Sequence, residues 1–172
     1  MRKFLLAIVT ALSLFASVQA QEVQTVSDPS FEAFLAQFEE GLTAFVNGQH
    51  DLWKDLVSHS DAATIMGGWG AYEKGWDEVG PRYDWAAARF VESGAKVEVE
   101  YLTKLVSGDM AYTVAIERSN ALIIGQDKPA PLALRVTHIY MKEDGAWKLM
   151  HRHADPLIEK TAPAAVLQEG DE

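Results

Sequence analysis

Apolar residues recur at helical spacing as far as Phe90, then alternate with a period of two from Lys96 onward, and an Asp144-Gly145 dipeptide separates two apolar strands. Together these three observations predict an α+β domain, with helices first and a long antiparallel sheet afterwards. Such a sheet, curved and covered by the N-terminal helices, can enclose a pocket. Small residues at Ala111, Thr113 and Ala115 leave room for one.

The first helix begins at Asp28-Pro29, where the aspartate caps and the proline fits the first helical position. Phe31, Phe34, Leu35, Phe38, Leu42, Phe45 and Val46 give it one broad apolar face, and Asn47-Gly48 ends it. A short second helix is expected over Asp51 to Val57, burying Leu52, Trp53, Leu56 and Val57. Ala62 to Met66 suits a brief strand. Gly67 to Gly75, rich in glycine and aromatics, reads as a shaped loop; its Gly68-x-Gly70 lacks the third glycine of a dinucleotide-binding turn. Trp76, Val79, Tyr83, Ala87 and Phe90 continue a helical face that Gly80-Pro81 should interrupt, with Pro81 opening its main part. Strands then follow over Lys96 to about Val106, Met110 to Leu122, and the two arms of the hairpin Leu134 to Pro156.

Residues 1–20 carry a basic start at Arg2 and Lys3, an apolar run and small residues at Val18 and Ala20, the pattern of an export signal. The expected organisation is this signal, a polar lead-in over 21–29, one domain over 30–158, and a loosely ordered acidic tail over 159–172. A periplasmic or secreted location follows. Signal removal takes two positive and no negative charges, moving the formal charge from −10 to −12. Without a basic patch, neither nucleic acid nor, after signal removal, a membrane surface is an expected partner. The chain has no cysteine, which excludes thiol catalysis and cysteine-ligated metals.

Asp144-Gly145 suits a type I′ turn, whose two central residues both need positive φ. Regular pairing from that turn sets Tyr140 opposite Leu149, His138 opposite His151 and Val136 opposite His153. His138, His151 and His153 would then share one face, with Glu117 joining them if the Ala111, Thr113, Ala115 side of its strand also points inward. The other face would carry Arg135, Thr137, Ile139, Met150 and Arg152. Three histidines and a carboxylate can exchange protons with a bound carbonyl compound, or serve only as hydrogen-bonded pocket wall. A shared metal ion is a third reading, but no HExxH or comparable spacing supports it, and neither metal nor cofactor is expected. Trp69 and Tyr72 in the glycine-rich loop, with Tyr140 beside the histidines, are the candidate ligand-binding aromatics.

Read as ordered pieces, WKDLVSHSDAATIMGGWG (53–70), KGWDEVG (74–80), SGDMAYTVAIERS (107–119) and LRVTHIYMKEDGAWKLMHRHADP (134–156) resemble the SnoaL-like proteins of the nuclear transport factor 2-like superfamily, which includes the ketosteroid isomerases. The resemblance implies a cone-shaped curved sheet, an apolar cavity at its open end, and frequent dimerisation through the outer sheet face. For function it implies binding of a small apolar or ring compound, with acid-base catalysis of isomerase, cyclase or lyase type, or else a non-catalytic dimeric binding or assembly module.

Overall fold

The computed structural model describes residues 28–162. The expected export signal, most of the lead-in and most of the acidic tail lie outside them. Helix α1 spans Pro29–Phe45, and its cap forms as the sequence requires: the Asp28 carboxylate accepts from the backbone N–H of Ser30 at 2.8 Å and of Phe31 at 3.3 Å. Its buried stripe, including Phe31, Phe34, Leu35, Phe38 and Leu42, lies across the concave side of the sheet. The rings of Phe31, Phe34 and Phe38 meet that of Tyr140 at 5.1, 5.5 and 5.5 Å between centroids, all edge to face.

Past α1, Asn47 uses its whole amide. Its Nδ2 donates to the carbonyls of Thr43 and Ala95, each at 2.8 Å, and its Oδ1 accepts from the N–H of Ser93 and Ala95, each at 3.1 Å. Gly48 follows at φ 83°, where a Cβ would come within 3.0 Å of the Phe90 carbonyl. Helix α2 covers Asp51–Leu56 and buries Trp53 and Leu56, whereas Leu52 is exposed, contrary to its expected place in the core.

The glycine-rich stretch is a hairpin rather than a loop. Strand β1, Thr64–Gly67, pairs with β2, Gly70–Lys74, leaving Gly68 and Trp69 as a two-residue tip. Helix α3, Trp76–Ala87, runs unbroken through Pro81. Lacking an N–H, the proline costs the Asp77 carbonyl its helical bond, and the Tyr83 and Val79 side chains buried on either side of it hold the helix in place.

The remaining strands are β3 (Phe90–Val91), β4 (Glu98–Ser107), β5 (Met110–Ile123), β6 (Ala130–Glu143) and β7 (Ala146–Pro156). The seven-stranded sheet runs β2-β1-β7-β6-β5-β3, with β4 also on β5. The parallel pairing of β1 with β7 makes a mixed sheet of one expected to be antiparallel throughout. The sheet curls around the helices as a half-barrel. The Asp144-Gly145 turn has both residues at positive φ, 50° and 84°, as type I′ demands.

The hairpin departs from regular pairing at one residue. Tyr140 faces Leu149 as expected, but Ile139 faces His151, so Met150 is an extra, bulged residue. Beyond it the register moves by one: His138 faces Arg152, Thr137 faces His153 and Val136 faces Ala154. The shared three-histidine face does not form. Arg152 and Ala154 turn inward, and His151 and His153 turn to the outer side.

Candidate functional site

A cavity of about 240 Å³ opens between the curl of the sheet, α3 and the tip of the β1–β2 hairpin. Its walls are largely apolar, from residues such as Leu42, Phe45, Ile65, Phe90, Leu132 and Leu134. Polar residues interrupt them: Arg82, Arg118, Ser119 and a buried ion pair. Glu117 from β5 and Arg152 from β7 both line the cavity and are 5% and 8% exposed. The inward face of β5 is the one the small residues predicted: Ala111, Thr113, Ala115 and Glu117 are all buried.

A carboxylate so placed needs a cation, and the bulge supplies it. Arg152 grips Glu117 with both ends of its guanidinium, Nη1 to Oε1 at 2.8 Å and Nη2 to Oε2 at 2.7 Å. Nη1 also donates to His138 Nε2 at 2.6 Å. Arginine can only donate, so Nε2 of His138 must accept and its proton sits on Nδ1, which faces Thr113 Oγ1 at 3.4 Å. Thr113 Oγ1 is in turn 3.2 Å from the Tyr140 hydroxyl. The chain Glu117–Arg152–His138–Thr113–Tyr140 thus runs from the cavity into the core beneath α1.

Charge follows this geometry. Burial, then the Arg152 charge, then His151, push the His138 pKa well below its ordinary value, so the ring is neutral. For Arg152, burial acts to lower the pKa, and the adjoining Glu117 carboxylate overrides it, leaving the guanidinium firmly charged. Tyr83, whose side chain lines the cavity, is pushed up to about 12 by burial against the opposing pull of Arg152, and remains a hydroxyl donor at neutral pH.

The expected site residues therefore separate. Glu117 and Trp69 line the cavity; His138 lies behind Arg152, 1% exposed, with both ring nitrogens engaged. Tyr140 is fully buried in the aromatic cluster under α1, and Tyr72, 74% exposed, projects from β2. His151 sits on the outer side with Nδ1 at 2.8 Å from Thr64 Oγ1, its pKa lowered by burial and then by His153, while His153 Nε2 lies 3.3 Å from Asp155. Among the described residues, no cluster of histidine and acidic side chains could hold a metal ion.

Arg152, Arg82 and Arg118 are charged cavity residues that sequence reasoning missed. Tyr83 lies in the core, as its place on the apolar face of α3 predicts, and also reaches the cavity wall. Arg152 was assigned to the outer face, although a signal existed: an inward Glu117 requires a buried cation, and a one-residue slip in β7 is the change that provides it.

The SnoaL-like domain model matches residues 32–159, from the first turn of α1 through β7. The chain belongs to the SnoaL-like family. Its fold matches that of a nuclear transport factor 2-like superfamily protein from Salmonella enterica, at 15% identity and TM-score 0.62, over 77% of this chain and 97% of that one. It also matches a candidate scytalone dehydratase from Novosphingobium aromaticivorans, at 12% identity and TM-score 0.60, over 75% and 83% of the two chains. A third match is the CaMKII hub of S. rosetta, at 20% identity and TM-score 0.54, over 76% and 98%. No curated protein matches the chain. At such identities the SnoaL-like chain shares a fold with these structures, and its cavity chemistry must be read from its own residues.

Proposed function

We propose that this SnoaL-like protein is exported and binds a small, largely apolar ring compound bearing a hydroxyl or carbonyl group. The observation that carries this reading is an open apolar cavity with one polar pole, Glu117–Arg152, flanked by the Tyr83 hydroxyl. At about 240 Å³ the space falls just below the roughly 300–1,000 Å³ of ordinary small-molecule sites, so the ligand is small. Arg152 offers its Nε–H and one Nη2–H beyond the three N–H groups already engaged, and the Glu117 oxygens retain lone pairs. The pole as a whole is neutral, which suits an uncharged polar group. An open cavity also favours binding over a purely structural assembly role.

The test is a titration of the mature chain with phenol and cyclohexanone, followed by Trp69 fluorescence and by calorimetry. Saturable binding that is lost on filling the cavity with Ala86→Phe supports the reading. Equal responses in the parent and the filled variant overturn it.

Proton transfer is a second reading, favoured by one observation: Glu117 opens on the cavity beside a Tyr83 hydroxyl that stays protonated. In this reading Glu117 takes a proton beside a ligand carbonyl and His138 orients Arg152 from behind. Deuterium exchange into cyclohexanone at the carbons next to the carbonyl, lost in Glu117→Gln, is the expected result; exchange no faster than in buffer rules it out. Pairing of two chains through the outer sheet face completes the proposal, supported by the family fold and by the mixed apolar and polar character of that face.

A further inference from the structure

Three arginines line the cavity: Arg82, Arg118 and Arg152. Two of them are capped by hydrogen-bonded carboxylates, Arg152 by Glu117 and Arg118 by Glu100, each at a closest approach of 2.7 Å. Arg82 differs. Its Nη2 donates to the Gly70 carbonyl at 2.8 Å, and its guanidinium carbon lies 4.4 Å from the Trp85 ring, so both close partners are uncharged. The nearest carboxylate, Glu73, approaches Nε only to 3.7 Å, beyond hydrogen-bond reach, and its second oxygen is buried without a partner.

Arg82 is thus a fixed cation on the cavity wall that meets Glu73 as a 3.7 Å ion pair without a hydrogen bond, its side chain only 14% exposed in a chain of net charge −10. Space is kept beside it. A side chain at Gly67 would place its Cβ 3.4 Å from Arg82 Nη2, and Gly68 likewise carries none. Trp69, 45% exposed as a residue and packed on Trp85 and Phe90, stands at the same mouth as an aromatic surface for a flat ligand.

Building on the binding reading above, we propose that the ligand is an acid: a short ring compound whose carboxylate is held by Arg82 at the mouth while its hydroxyl or carbonyl reaches the Glu117–Arg152 pole. A carboxylate suits Arg82 because a charge-assisted hydrogen bond in a desolvated wall is roughly twice as strong as a neutral one. Glu73 shares the same guanidinium and competes for it.

The experiment compares 4-hydroxybenzoate with 4-hydroxybenzamide, the same ring and hydroxyl without the charge, by calorimetry on the mature chain at low and at high salt. The acid is expected to bind about tenfold tighter than the amide, with the advantage shrinking in high salt. Arg82→Gln should weaken the acid far more than the amide and so erase the difference, and Glu73→Gln should widen it. Equal affinity for acid and amide in the parent protein, or loss of both ligands together in Arg82→Gln, overturns the role of Arg82 and leaves the binding reading standing. Failure of both compounds to bind overturns the two together.

Discussion

Arg152 does more than any other side chain to define the interior, because it meets Glu117, His138 and the Trp53 ring at once. Removing one member of a buried ion pair leaves an uncompensated charge, which typically costs about 3–5 kcal/mol. Arg152→Met should therefore destabilise the fold by roughly that amount. The double variant Glu117→Leu with Arg152→Met should recover most of the loss, since apolar residues of similar volume fill the site without stranded charge. Urea denaturation of the two proteins checks the order. His138 gives a second prediction. Its folded pKa lies below the unfolded value near 6.5, so the unfolded chain binds the proton first. Its contribution is complete above that unfolded pKa and is lost as the pH falls below it. His151 adds a slope of the same sign. Melting temperature should drop on acidification through this window, and His138→Gln, whose carbonyl can still accept from Arg152, should flatten the drop. An unchanged slope would show that His138 is not the buried neutral ring described.

At the scale of elements, most of what forms was legible because local chemistry decides it. The Asp28 cap, the aromatic stripe of α1, the Asp144-Gly145 turn and the alternation of β5 each follow from residue type and spacing. What misled was set by contacts distant in sequence. The bulge at Met150 coincides with the point where the Leu149 carbonyl accepts from the Ser58 N–H at 2.9 Å, a pairing between β7 and the segment after α2 that no local pattern announces. The same is true of Pro81, which ordinary propensity would place at a helix start. Two predictions belong here. Asn47→Ala removes four hydrogen bonds, one back to Thr43 in the last turn of α1 and three to Ser93 and Ala95 before β4, and should cost on the order of 1–3 kcal/mol in chemical denaturation. The Asp28 carboxyl is held at about 2, from an ordinary 3.8, by the Ser30 hydroxyl and then by Lys142. The stability it adds is present above pH 3.8 and disappears as the pH falls through about 2, so Asp28→Ala should lose stability at neutral pH yet match the parent in strong acid.

For the whole molecule, the outer sheet face is the expected meeting surface of two copies. Tyr112 pairs across strands with Ile139, and Val114 and Met141 extend the apolar area, while Arg135 and Asp155 stand at its margin. Analytical ultracentrifugation should give a dimer, and Ile139→Glu should give a monomer whose cavity still binds ligand; a parent protein that stays monomeric at high micromolar concentration counts against this surface. Export is tested separately, by intact mass of the periplasmic or secreted fraction, which should begin at Gln21. Retention of residues 1–20 in a membrane fraction would reverse that assignment.

The extra residue in β7 acts on the strand as a frameshift acts on a message: every side chain after it is read on the opposite side. With Met150 absorbed, the downstream letters His151, Arg152, His153 present arginine to the interior; in uninterrupted pairing the same letters would present histidine twice. While the bulge holds, loss or gain of a single codon just beyond it would exchange an ion-paired cavity wall for an imidazole one and leave the strand order untouched. In this architecture the chemistry of the interior is stored in the phase of a strand as much as in its composition.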